Sequence, residues 1–224
     1  MARILLIETS TAKLSVALAE DGVVKSSCSC DEARQQASLT APYVKQVLEE
    51  RGLGVKDCDA ICIGKGPGSY TGLRVGVSTA KGLAFGAGKP LIAIGTLDIL
   101  AASAPGDASF IVPMIDARRM EVYTAVFSPE GRQLTPVEAK VIDADAFSEY
   151  LSQGPVLFIG DGALKCREVL THPNARFQQA WPEASAMAAL AEKAYQEKRF
   201  EDLAYFEPFY LKDFVATVSR KQLF

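Results

Sequence analysis

The residues with the strongest claim to chemistry lie between positions 64 and 86 of the 224-residue chain. Gly64-Lys65-Gly66-Pro67-Gly68-Ser69 is a glycine-rich loop between a short apolar run, 60–63, and a stretch of helical spacing, 70–86. Such a strand-to-helix junction offers bare backbone N–H groups and the positive end of a helix dipole, both suited to an anion. No Gly-Lys-Ser/Thr closes the loop, as a Walker-type loop requires, and Ser69 stands where a dinucleotide fingerprint has its last glycine. Two readings follow: a phosphate cradle on Gly66, Gly68 and Ser69, or a tight turn passing close to another backbone.

The helix after the loop carries Gly72, Gly76, Gly82 and Gly86. Each interior glycine costs about 1 kcal/mol against alanine, with Gly86 a possible C-cap. Gly72 and Gly76 share a face with Thr79 and Ala80, a flat strip that another helix can approach closely. Leu73 and Val77 turn toward the sheet. The approaching helix is either internal, most simply 32–51 with its apolar Tyr43, Val44, Val47 and Leu48, or part of another chain. In the second case Tyr43, Val47, Gly72, Leu73, Gly76, Thr79 and Ala80 belong to a partner interface.

Catalytic groupings are poor. His172, the one histidine, precedes Pro173 in a loop, no GxSxG elbow exists to partner it, and a histidine-rich metal site is excluded. Five cysteines without a CxxC pair read as buried or inert thiols rather than a disulfide framework or zinc site. Glu8, Asp116 and Asp161 each follow an apolar run, where an acid either caps a strand end or faces a hydrated metal ion. Arg118 and Arg119 sit in a turn after a buried strand, able to grip a phosphate or a partner's carboxylate, or simply solvated.

Positioning these residues falls to alternating α and β elements. Strands are predicted at 4–8, 14–19 and 23–30, a β-meander with a turn at Thr9-Ser10-Thr11, followed by the helix 32–51. A strand at 60–63, the helix 70–86, a strand at 91–94 and a helix at 96–104 complete a first lobe, 1–104. A smaller second lobe, 105–204, holds strands at 109–115, 121–127 and 156–159, the turn Gly160-Asp161-Gly162, and helices near 143–151 and 184–198. The aromatic tail 205–224 reads as docked, completing the first lobe. The fold class is α/β, with mixed sheets flanked by helices. Hydrophobic residues at 49%, charged residues at 23% and a formal net charge of −3 describe a globular chain with no strong electrostatic pull on nucleic acid. The opening apolar run is too brief for a signal peptide and no segment is long enough to span a bilayer, so a reducing cytoplasm is expected.

Several of these segments together resemble the TsaB (YeaZ) family of bacterial proteins for threonylcarbamoyladenosine synthesis in tRNA. The resemblance runs nearly the whole length. It is carried by Ile7-Glu8-Thr9-Ser10-Thr11, the block 66–76, Ala80-Lys81-Gly82-Leu83-Ala84, Asp116-Ala117-Arg118-Arg119-Met120-Glu121-Val122-Tyr123, Gly160-Asp161-Gly162-Ala163 and Pro208-Phe209-Tyr210-Leu211. It implies a two-lobed actin-like ATPase (ASKHA, ribonuclease H-like) fold and a noncatalytic subunit. Its partners would be the homologous transferase TsaD, in a heterodimer, and the ATPase TsaE. Alone the chain would form a homodimer, it would meet tRNA only through the complex, and it would have no membrane association. The phosphate loops at Thr9, Ser10, Thr11, Gly66, Gly68, Ser69, Asp161 and Gly162 would be vestigial. No intrinsic cofactor or metal is implied, with ATP or ADP at most at an interface with partners. The HxxxH metal motif of TsaD-type enzymes falls on Thr96-Leu97-Asp98-Ile99-Leu100, without either histidine. Two positions depart from the family pattern: Glu8 replaces an aspartate, and Gln36-Ala37 replaces a His-Ser pair. The alternatives are an ASKHA ATPase or kinase with its own nucleotide site and, with the least chemical support, a glycoprotease-type peptidase.

Overall fold

Strand β1, Arg3–Glu8, is buried along nearly all its length, and its period of two divides its side chains between two cores. Leu5 and Ile7 face one side and Ile4 and Leu6 the other, so this sheet is covered on both faces. The computed structural model describes residues 2–32 and 34–212. β2, Leu14–Glu20, and β3, Val23–Cys30, pair antiparallel to form the predicted meander. β4, Ala60–Gly64, and β5, Leu91–Ile94, add parallel strands on the other side, giving the order β3-β2-β1-β4-β5.

One face of this sheet carries α1, Gln36–Glu49, and α2, Tyr70–Ala87, with Val44, Val47, Leu48, Val77, Ala80 and Ala84 in a shared core. α1 is shorter than the predicted 32–51. Ser69 caps α2, accepting from Gly72 N at 3.4 Å, and Gly88 rather than Gly86 ends it in the left-handed conformation at φ 65°.

The second sheet repeats the topology of the first. β6, Phe110–Asp116, β7, Glu121–Thr124, and β8, Glu138–Val141, form its meander, while β9, Val156–Ile159, and β10, Ala175–Gln178, pair in parallel on the far side of β6. The order β8-β7-β6-β9-β10 mirrors β3-β2-β1-β4-β5. The strand predicted at 121–127 stops at Thr124, with Phe127 in isolated bridges. The helix near 143–151 contracts to one turn, α4, Ser148–Leu151.

The third helix, α3, Thr96–Ala102, joins the lobes, since Ile99 packs into the first lobe's core and Leu97, Leu100 and Ala101 into the second's. The predicted helix 184–198 is a 3-10 turn, Ala184–Met187, running into α5, Ala188–Gln196. Its assignment to the second lobe is corrected. Ala184, Met187, Ala188, Ala191 and Ala194 pack on Ile4, Leu6, Cys62 and Ile92, closing the open face of the first sheet. Of the tail 205–224, the stretch 213–224 lies outside the described residues.

Candidate functional site

The two hairpin turns and the two loops after β4 and β9 meet between the lobes. There they line a cleft of about 570 Å³. Ser10, Thr11, Gly68, Ser69, Asp116, Arg118 and Asp161 all face it, so the predicted site residues converge from both lobes.

On the first lobe the turn after β1 is fastened to the glycine loop and α2. Ser69 N donates to Ser10 O at 2.6 Å, and Thr9 Oγ1 donates to Gly72 O at 2.8 Å. Gln36, on α1, donates to Thr11 O at 2.9 Å. Side chains at Gly68, Gly72 or Gly76 would collide with Ser10 or Thr9. The glycine strip is therefore corrected: Gly72, Gly76 and Ala80 are buried inside the chain, with Leu73 and Val47, and are not surface open to a partner. What approaches the strip is the β1–β2 turn. Tyr43 and Thr79 are half-buried. Gly72 and Gly76 offset their propensity cost by letting the turn sit against the helix start, whereas Gly82 and Gly86 face open space.

That fastening also bears on anion binding. Ser69 N is engaged by Ser10, Lys65 N by Ile94 O at 2.8 Å, and Gly72 N by the Ser69 side chain, so a phosphate would meet a cradle whose amides are partly occupied. Glu8 lies beneath, fully buried. One carboxylate oxygen accepts from Ser10 N at 2.5 Å, and Oε2 has no partner among the described residues. Burial pushes its carboxyl up to about 7, against the hydrogen bonds from Ser10 and Thr9. Thr11 Oγ1, at the cleft wall, is likewise buried without a partner.

On the second lobe Asp161 Oδ1 accepts from Asp116 N at 2.9 Å, and burial raises the Asp161 carboxyl above its usual range. Asp116 pairs with Lys165 and accepts from Arg118 N at 2.8 Å. Arg118 and Arg119 both take positive φ, 73° and 51°, a strained hairpin tip that aims Arg118 into the cleft. Gly66, Gly162 and Arg119 lie beside the cleft rather than on its wall. Gly162 packs against Val122 and the Asp116 backbone.

Sequence reasoning missed Lys165, which also reaches Glu121 O at 2.7 Å, and the four cleft-lining residues Phe209, Tyr210, Leu211 and Lys212. Lys165 stands alone in its segment, with only its charge as a signal. The tail's docking was legible in its aromatic character, but its destination was not. His172 is exposed and does not line the cleft; its ring accepts from Asn174 N at 3.2 Å and its carbonyl from Ala175 N at 2.9 Å. Among the described residues no three His, Cys, Asp or Glu side chains gather as a metal site. At the positions matched to HxxxH, Thr96 and Leu100 are both fully buried, Leu100 in the core between the lobes.

The family model described as TsaD, tRNA N6-adenosine threonylcarbamoyltransferase, matches residues 30–220. The tRNA threonylcarbamoyladenosine biosynthesis protein TsaB of Escherichia coli is 32% identical, with 96% of each chain covered. Its counterpart in Bacillus subtilis is 35% identical over 70% of each. The chain belongs to the TsaB family. YeaZ from Pseudomonas aeruginosa superposes with a TM-score of 0.81 at 28% identity, covering 94% of this chain and all of that one. The fold is the two-lobed ASKHA architecture, and the family's process is threonylcarbamoyladenosine biosynthesis in tRNA. No helix among the described residues is long and apolar enough to cross a membrane.

Proposed function

We propose that this TsaB-family chain is a noncatalytic docking subunit. It would hold a TsaD homologue, with TsaE joining, while the threonylcarbamoyl group passes to the adenosine beside the anticodon. The carrying observation is the outward face of α1 and α2. With the Gly72–Gly76 strip used internally, that face presents exposed Ala37, Ala41, Ser78 and Gly82, with Phe85 80% exposed at its end. Small residues beside one large apolar side chain suit a second helix pair packing closely. The same face would pair two copies when the chain is alone, through an isologous interface. ATP or ADP would enter at an interface with partners, tRNA only through the assembled complex, and the setting would be the cytoplasm.

Gly82→Arg tests the surface cleanly, because nothing lies within 4 Å of a side chain added there. Association with the TsaD homologue is expected to fall at least about tenfold, the scale of one hot-spot loss. Undiminished association refutes this docking face. Gly76→Arg would be uninformative, since it strikes Thr9 inside the fold.

A second reading, an ATPase or kinase with its own site, draws on Thr11 Oγ1, buried at the cleft wall without a partner. Calorimetry of the isolated chain with magnesium and ATP separates the two. Saturable binding with turnover favours the enzyme.

A further inference from the structure

One stretch of chain touches both lobes at the cleft and belongs to the turns of neither. Residues 201–212 leave α5, run beside β5 through Glu201 N to Leu91 O at 2.8 Å, and cross α2, where Lys81 Nζ donates to Phe206 O at 2.9 Å. Phe209 N then donates to Lys65 O at 2.8 Å, inside the glycine loop. Phe209 O passes so close to Gly66 that a side chain there would sit 2.8 Å from it. Gly66 also takes a φ of 109°, so both its backbone conformation and the tail's approach exclude a side chain there. The ring of Tyr210 lies 4.7 Å from that of Tyr70 at the start of α2, and the Arg74 guanidinium stands 4.0 Å over the Tyr70 ring. Two residues on, Lys212 pairs with Glu121 at the base of the second lobe's hairpin.

We infer that residues 206–212 are a tethered occupant of the inter-lobe cleft, a clasp that joins the glycine loop of the first lobe to the β6–β7 hairpin of the second. This goes beyond the docking role and does not depend on it. In a two-lobed fold the lobes meet across a cleft whose opposing turns can hinge, and a bridging ligand sets the angle between them. Here the chain's own segment takes the bridging position, lining the cleft with Phe209, Tyr210, Leu211 and Lys212 together with Thr11 of the first lobe and Asp116 and Arg118 of the second. Its anchors differ in strength. The backbone bond to Lys65 and the packing of Leu203 and Phe206 on the first core secure one end. The other end rests on one partly exposed ion pair, a contact worth little in water. The clasp therefore opens from the second lobe first, leaving α3 and the crossover from β10 to α5 to join the lobes.

Amide hydrogen exchange on the full chain and on a variant ending at Pro208 tests this. Without residues 209–224, amides of turns 10–12 and 116–121 and of Gly68 and Ser69 are expected to exchange at least about tenfold faster, while β1 and β9 keep their protection. A synthetic peptide of residues 205–224 supplied in trans restores the slow rates. In the full chain, Lys212→Glu accelerates exchange at 116–121 about threefold, and adding Glu121→Lys reverses it. Unchanged exchange at the turns after truncation overturns the clasp. So does loosening that extends equally into β1 and β9, or a charge swap that fails to restore protection.

Discussion

In the first lobe the crossovers after β3 and β4 are helices of 14 and 18 residues. In the second, the equivalent crossovers after β8 and β9 shrink to a four-residue helix and a three-residue 3-10 turn, Leu164–Cys166. The sheets they cover share strand order and the mixture of parallel and antiparallel pairs. Long crossovers do more than cover a sheet. α1 and α2 bury one stripe each and leave a second face outward, which gives the first lobe a surface to offer. The second lobe covers its core with short pieces around Phe147, Phe158 and Leu170, none longer than one helical turn among the described crossovers. Strand ends diverge as well. β1 and β6 each finish in an acid before a hairpin turn, yet Glu8 is fully buried with one oxygen unpartnered, while Asp116 is 47% exposed and paired with Lys165. One lobe has walled in its acid and the other has left it at the cleft.

The sharpest break in this comparison lies at the glycines that open the equivalent loops. A side chain at Gly160 meets the Met114 backbone and is strained besides by a φ of 137°, whereas one at Gly64, outside the left-handed region, meets only the Glu8 side chain. Gly160→Ala is expected to cost about 3 kcal/mol in denaturant unfolding and Gly64→Ala distinctly less. Equal costs would mean that the loops are constrained alike.

The acids give the next effect. Burial pushes the Glu8 carboxyl up to about 7, well above the ordinary glutamate range, so the unfolded state releases its proton first as pH rises. The contribution of the neutral carboxyl is fully present below about pH 4.5 and is lost progressively up to about pH 7. Glu8→Gln should flatten that fall and raise stability at pH 8 by roughly 2 kcal/mol, read from urea midpoints at pH 5 and pH 8. Asp116→Asn, losing a half-exposed pair, should change stability by no more than about 1 kcal/mol at either pH. A wild-type stability that rises between pH 5 and pH 7 contradicts the burial argument. Smallest of all, Gly82→Ala should stabilise by about 0.5–1 kcal/mol through helix propensity, since a methyl group there meets open space. A loss in thermal midpoint would show that the outward face is not free.

Much of the fold was legible because its signals are local. Continuous apolar runs marked β1, β4, β5 and β9, and the helical spacing after the glycine loop marked α2 almost to the residue. The missed strands, Glu138–Val141 and Ala175–Gln178, are four-residue edge strands of mixed polarity, whose pattern is too short to rise above a loop. Thr9 to Thr11, Gly68, Ser69, Asp116 and Asp161 were legible as candidates from composition and position beside strand ends. Which way the glycines of α2 face was not, because a strip of small residues admits any close neighbour.

By itself, then, the sequence determined the position of the long apolar strands and of α2, that the chain carries a single histidine, and that the glycine loop precedes a helix. Each follows from short-range sterics, periodicity or composition. Only the tertiary structure decided that α5, Ala188–Gln196, covers the first sheet from far beyond β5, Leu91–Ile94, that the β1–β2 turn occupies the glycine strip, and that the tail lines the cleft. Those are long-range contacts. Their free energy depends on which surfaces meet after the chain collapses, and no window of local sequence carries that information.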